Sequence, residues 1–288
     1  MTYKTYYTND KASMASLFKK FALPKQDSHK GQNGKIMIIG GSSLFHSAIV
    51  WAAETASYFA DMVHVSSTPD NNQILQSLKE KWQNGIVVPG TDREHYVNED
   101  DVILIGTGMM REGKEAEEGR TLIQDLLGKF NEKKWVIDAG ALQIIDREWF
   151  KRLKTTPILT PHQKEFQTLF GKDILSLSKE DKIKTVIQTA RQYKIILLVK
   201  SVYDIISDGK ETVIIEGGNA GLTKGGTGDI LASLVACFYF KHEGILAAAL
   251  SSYLLKKTAD ELYKKKGFWF NNSDIIPNLP ETLNGLLG

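Results

Sequence analysis

The chain has one cysteine among 288 residues, Cys237, so it can form no internal disulfide and no cysteine metal cluster. That suits a reducing compartment, and a cytoplasmic location is expected. No uninterrupted apolar run approaches the roughly 20 residues of a membrane span. The first residues, Met1 to Asp10, are polar and lack the apolar core of a secretion signal. Charge of one sign is also missing. A formal net charge of +2 offers no basic field for nucleic acid and no strong attraction to a membrane surface, so neither is expected as a partner. Domain linkers, internal repeats and low-complexity segments are absent. What remains is ordinary globular composition, 42% hydrophobic and 24% charged, in a chain long enough for one large α/β domain or two small ones.

The most informative stretch is Gly217-Gly218-Asn219-Ala220-Gly221-Leu222-Thr223-Lys224-Gly225-Gly226-Thr227-Gly228-Asp229, followed at once by the apolar segment Ile230 to Phe238. The first part carries too much glycine to be a regular element, and the second reads as a buried helix. A loop therefore runs into a helix N-terminus, where unpaired N–H groups and the helix dipole favour an anion. Lys224 adds a mobile positive charge. Asp229 has two readings. It is an N-cap, or it is a base that takes a proton from a hydroxyl about to attack phosphorus. The loop is not a P-loop, because no G-K-[ST] follows the glycines. It is not the dinucleotide G-x-G-x-x-G either, since that follows the first strand of a βαβ unit.

Along the chain, a short helix is expected over Ala12 to Leu23, then a polar linker over Lys25 to Gly34. Continuous apolar runs predict strands at Lys35–Gly40, Met62–Val65, Gly85–Pro89, Val102–Ile105, Trp135–Asp138, Pro157–Thr160 and Ile195–Val199. Val202–Ser207 and Thr212–Glu216 read as a hairpin around Asp208-Gly209. Helices are expected over Ala48–Ala60, Lys114–Phe130, Gln163–Phe170, Ser178–Tyr193, Ile230–Phe240 and Ile245–Lys265, with a short one near Pro280 to Leu286. Apolar strands alternating with helices indicate a mostly parallel sheet covered on both faces, with ligands at the carboxyl ends of its strands. The expected organisation is an N-terminal helical extension over 1–30 and one domain over 31–288.

Gly-Gly-Thr-Gly-Asp before an apolar helix resembles the anion-hole and base motif of the ribokinase-like superfamily. The longer string from Gly218 to Asp229 is similar to that of the ADP/ATP-dependent NAD(P)H-hydrate dehydratases, which usually read G-N-x-G-M-A-T-G-G-T-G-D. Thr160-Pro161-His162-Gln163-Lys164-Glu165 resembles their T-P-H-x-G-E, with Lys164 for the glycine, rather than the T-P-N-x-x-E of related vitamin kinases. Val199-Lys200-Ser201-Val202-Tyr203-Asp204 resembles a strand end that meets nucleotide phosphates and ribose, with Ser201 for a glycine. Lys200 at a buried strand's end needs an anionic partner or a route to solvent. The Gly40-to-Ala48, Gly106-to-Arg111 and Val136-to-Leu142 stretches resemble further family motifs, with departures at Ser47, Thr107, Met110 and Gly140.

The resemblance implies a ribokinase-like three-layer α/β/α fold with a mostly parallel sheet. It implies a hydro-lyase that repairs hydrated NADH and NADPH. ADP or ATP would phosphorylate the hydroxyl on C6 of the hydrated ring, and phosphate would then leave, pushed by the ring nitrogen. Asp229 would be the base, with the N–H groups of Gly226, Thr227 and Gly228 as the anion hole. Ala48, Gly108, His162, Asn219 and Asp229 would meet the substrate. Lys200, Ser201, Val202, Tyr203, Asp204 and Gly228 would meet the nucleotide. Glu165 would hold Mg²⁺ through water. Family members are commonly dimers or tetramers, so a homo-oligomer is expected. The epimerase domain often fused to the family is not expected here. A vitamin or sugar kinase on the same fold is the rival enzyme. A nucleotide-binding protein without catalysis is the third reading, and the presence of Asp229 weighs against it.

Overall fold

The computed structural model describes residues 2–80 and 82–288. In chain order its elements are β1 (Lys4–Tyr7), α1 (Lys11–Phe18), β2 (Lys35–Ile39), α2 (Ser47–Ala56), β3 (Met62–Ser66), α3 (Pro69–Ser77), β4 (Ile86–Val87), α4 (Arg93–Glu99), β5 (Val102–Ile105), α5 (Lys114–Lys129), β6 (Lys134–Ile137), α6 (Ala139–Ile144), β7 (Ile158–Leu159), α7 (Gln163–Phe170), α8 (Lys179–Tyr193), β8 (Ile196–Val199), β9 (Tyr203–Ser207), β10 (Thr212–Glu216), α9 (Thr227–Tyr239), α10 (Gly244–Lys266) and α11 (Asn272–Leu287). The strands form one sheet in the order β1-β10-β9-β8-β7-β6-β5-β2-β3-β4. Among them β9 runs against its two neighbours, and the remaining pairs are parallel.

The central strands are apolar on both faces because both faces are covered. Along β2, Ile36 and Ile38 join a core with α2, α9 and α10, while Met37 and Ile39 join a second core with α5, α7 and α8. Helix α9 is buried over nearly its whole length and packs on α2 and α10. Its N-terminus is thereby aimed at the carboxyl ends of the strands. Among the described residues, no helix is long and apolar enough to cross a membrane.

Two expectations are corrected. The N-terminal extension is not only helical, because β1 pairs with β10 and lengthens the sheet at its edge. Its short sequence, Lys4-Thr5-Tyr6-Tyr7, has none of the continuous apolar character of the inner strands. Helix α11 starts at Asn272, well before the stretch near Pro280. A capping box between Asn271 and Asp274 and the buried Ile275, Ile276, Leu279 and Leu283 outweigh the two internal prolines. Helices α3, α4 and α6, short and weakly periodic, were not expected from sequence at all.

Candidate active site

Helix α9 is preceded by its N-cap Gly226, whose φ is +98°. A side chain there would come within 2.1 Å of the Asn272 amide and 2.3 Å of the Trp51 ring, so only glycine fits. Thr227 closes the turn by donating its hydroxyl to Leu222 O (2.8 Å) and Lys224 O (3.0 Å). Asp229 sits in the first turn of α9. The N-cap is Gly226 and no side chain caps this helix, so the carboxylate is left for the cleft in front of it. That cleft, about 430 Å³, is lined by Phe45, Ala48, Trp51, Gly108, Arg111 and Asp229 among others. Ser47 and Gly140, two departures from the family pattern, also line it.

Four charged groups meet at the floor. Lys200 Nζ donates to Asp138 Oδ1 at 2.9 Å, and the Asp138 side chain is 1% exposed. Thr160 Oγ1 donates to the same oxygen at 2.7 Å. Burial, then the charge of Asp138, pushes Asp229 up to about 7, with Lys200 pulling the other way. Burial also raises Glu165, and Lys200 opposes it. Burial alone would lower Lys200, but Asp138, Glu165 and Asp229 outweigh it and hold the ammonium above its ordinary value. Gly228 lies beside this ammonium: a Cβ there would be 3.2 Å from Lys200 Nζ. A positive charge and a helix N-terminus thus converge beside two carboxyl groups poised near neutrality, which suits base catalysis next to an anion.

Helix α7 begins with a capping box. His162 Nδ1 accepts from Lys164 and Glu165 N–H, and Glu165 Oε2 accepts from His162 N–H at 2.9 Å. Burial, with Lys200 nearby, lowers the His162 pKa, so the imidazole is neutral near pH 7. His162 stands behind Glu165, which is the one of the pair that reaches the cleft.

After Lys200 the chain makes a tight turn. Ser201 N–H donates to Asp204 Oδ1 at 2.9 Å, Ser201 Oγ donates to Tyr203 O at 2.5 Å, and Ser252 Oγ donates to Asp204 Oδ2 at 2.7 Å. Tyr203 lies under the Lys179 ammonium, and Val202 is 87% exposed.

Two expectations do not survive. Lys224 is not a mobile charge: its ammonium donates to Phe268 O at 2.7 Å and lies over the Phe270 ring. Asn219 does not face the cleft. Its amide donates to Ala259 O (2.9 Å) and its carbonyl accepts from Gly221 N–H (3.0 Å), so it fastens the loop to α10. Trp51, which lines the cleft, carried no signal in the sequence, and Arg111 was visible only as the end of the Gly106-to-Arg111 motif, with no role attached. Asp138 was visible as a carboxylate ending a buried strand and as part of the Val136-to-Leu142 motif, with no role attached.

A sequence model of the family described as NAD(P)H-hydrate dehydratase matches residues 36–281. A bifunctional NAD(P)H-hydrate repair enzyme of Methanocaldococcus jannaschii is 32% identical over 272 residues, 91% of this chain and 51% of that protein. The chain therefore spans about half the length of this curated relative. An ADP-dependent (S)-NAD(P)H-hydrate dehydratase of Nitrosopumilus maritimus is 31% identical over 283 residues, 93% of this chain and 95% of that one. The crystal structure of an ADP/ATP-dependent NAD(P)H-hydrate dehydratase from Bacillus subtilis, co-crystallized with ATP/Mg²⁺, superposes with a TM-score of 0.81 at 19% identity, covering 95% of this chain and 97% of that one. That likeness concerns the fold, which is the ribokinase-like α/β/α architecture.

Proposed function

Because the chain belongs to the NAD(P)H-hydrate dehydratase family, we propose that it is an ADP- or ATP-dependent hydro-lyase that restores hydrated NADH and NADPH. The observation that carries this reading is the placement of Asp229. Its carboxylate opens on the cleft of about 430 Å³ from the first turn of α9, caps nothing, and is pushed by burial up to about 7. In the proposed reaction Asp229 takes the proton of the ring hydroxyl as that oxygen attacks the terminal phosphorus. The bridging P–O bond breaks and releases the nucleotide one phosphate shorter, and the C6–O bond then breaks as phosphate leaves, pushed by the ring nitrogen. The N–H groups around Gly226, Thr227 and Gly228 stabilise the charge that develops on the phosphoryl oxygens.

Lys200 offers its ammonium to the phosphates, and the Ser201–Asp204 turn borders the nucleoside. Gly228 lets the donor approach closely. Ala48 and Gly108 supply a smooth wall for the damaged ring, and the neutral His162 orders Glu165 beside it. Mg²⁺ would offset the phosphate charge. Among the described residues, no group of three or more His, Cys, Asp or Glu is placed to hold a metal. The nucleotide phosphates would carry the ion, and Glu165 would reach it through water. The reading also includes a cytoplasmic dimer or tetramer, which light scattering on purified protein would test.

The experiment is incubation with hydrated NADH, Mg²⁺ and either ADP or ATP, following dihydronicotinamide absorbance and free phosphate together. Stoichiometric recovery of both supports the dehydratase. A phosphorylated product that accumulates without phosphate release overturns it in favour of a kinase.

A further inference from the structure

Helix α10 presents Ser252, Lys256 and Asp260 one turn apart on a single face, and all three grip the two loops that meet above it. Ser252 fixes the Asp204 carboxylate, and Asp260 accepts from Gly218 N–H at 3.1 Å. Between them lies Lys256, a lysine whose side chain is 7% exposed. Its ammonium donates to Ser201 O (3.2 Å), Val202 O (3.1 Å) and Gly217 O (3.4 Å), and lies 3.5 Å from Asp204 Oδ1. Its stem lies along the glycine loop, since a Cβ on Gly218 would meet it at 3.1 Å.

Three carbonyl oxygens and a carboxylate turned toward one point repel one another. Only a cation or a set of donors at that point can hold them there. An ammonium has three N–H donors, and here three carbonyls from two separate loops take them. Those loops are the turn directly after Lys200 and the start of the glycine loop that leads to Gly228. Lys256 touches neither the cleft nor the charged cluster at its floor.

We propose that Lys256 is a positioning residue for the donor nucleotide, a cation supplied by the chain itself where the two loops would otherwise need a monovalent ion from solution. The proposal rests on the nucleotide reading above. It places the charge-bearing role at Lys200 and the shape-holding role at Lys256. Losing this ammonium should loosen the Ser201–Asp204 turn and leave the hydrated-ring side of the site alone.

The test compares wild type with Lys256→Met and Lys256→Gln, reading ADP affinity by calorimetry and the two KM values separately. Loss of a charge-assisted anchor predicts a rise of about tenfold or more in the Kd and KM for ADP. The KM for hydrated NADH and kcat should stay within about twofold. Potassium or ammonium chloride, but not choline chloride, should return part of the lost ADP affinity to the variants. A folded variant that binds ADP like wild type overturns the proposal, and so does an equal rise in both KM values. If neither variant folds, the wild type still decides. Its ADP affinity should be the same in potassium and choline salts, and dependence on potassium would mean that the ammonium does not fill the cation's place. Calorimetry needs no turnover, so failure of the dehydratase chemistry is seen separately. A wild type that binds neither ADP nor ATP would overturn the nucleotide reading and this proposal together.

Discussion

Lys200 Nζ lies 2.9 Å from Asp138 Oδ1, a contact that reaches across the end of β7 between the carboxyl ends of β8 and β6. The lysine that the nucleotide reading assigns to phosphate therefore already has an anionic partner in the protein. Its charge is shared among Asp138, Glu165 and Asp229. Lys200→Met should weaken ADP binding by about 1–3 kcal/mol, the scale of a charge-assisted hydrogen bond. It should also raise the pKa of Asp229, because the group that pulls it down is gone. Calorimetry checks the first effect. Unchanged ADP affinity would mean that the ammonium serves Asp138 alone.

The pH profile follows from Asp229. A base must be ionised to work, and burial together with Asp138 holds this carboxyl up at about 7. kcat/KM should fall on the acid side with a midpoint near that value. Asp138→Asn removes the neighbouring charge and should move the midpoint down, if the variant stays folded by circular dichroism. A flat profile through neutrality would contradict the assignment of Asp229 as base.

The same shift has a stability consequence. The folded value of Asp229 is raised from an ordinary 3.8, so the proton-bound form favours the fold. That stability is fully present below the unfolded value and is lost as pH rises through the folded one. Asp229→Asn should therefore melt above wild type at pH 8, with the gap closing toward pH 4. A variant that melts lower at pH 8 would show that the carboxylate supports its helix.

Far from the cleft, His64 Nδ1 lies 2.8 Å from Asp100 Oδ2, and both side chains are fully buried. Burial pushes Asp100 up, and the contact with His64 holds it back. His64→Leu would leave the carboxyl buried without its partner, at a cost of about 3–5 kcal/mol in urea unfolding. A double replacement by Leu at both positions should cost much less. Equal losses in the single and double variants would mean that packing, not pairing, sets the cost.

The sheet was legible because its inner strands are apolar on both faces. Ile103 and Leu104 sit in opposite cores, so the pattern is continuous and hard to mistake. The edge was not legible: β1 is only four residues long, has no apolar run and is paired only through partners more than 200 positions away. At the site, glycine density and Asp229 announced themselves locally. Asp138 and Lys256 did not, since their meaning comes from what the fold sets beside them. A lysine in the run Lys256-Lys257 reads as a solvated face until α10 is packed against two loops. Asn219 shows the reverse case, a residue that matched the family pattern and turned out to be spent on holding its own loop.

The measurement that bears most directly on the account is turnover of hydrated NADH by purified Asp229→Asn, with ADP affinity measured on the same preparation. Asparagine keeps the size and polarity but cannot take the proton. The account predicts a fall in kcat of about a hundredfold or more, the usual range for losing a general base. ADP binding should stay level or tighten, because a negative charge near the phosphates is gone. Turnover near that of wild type would contradict the central claim that this carboxylate, at the first turn of α9, is the base.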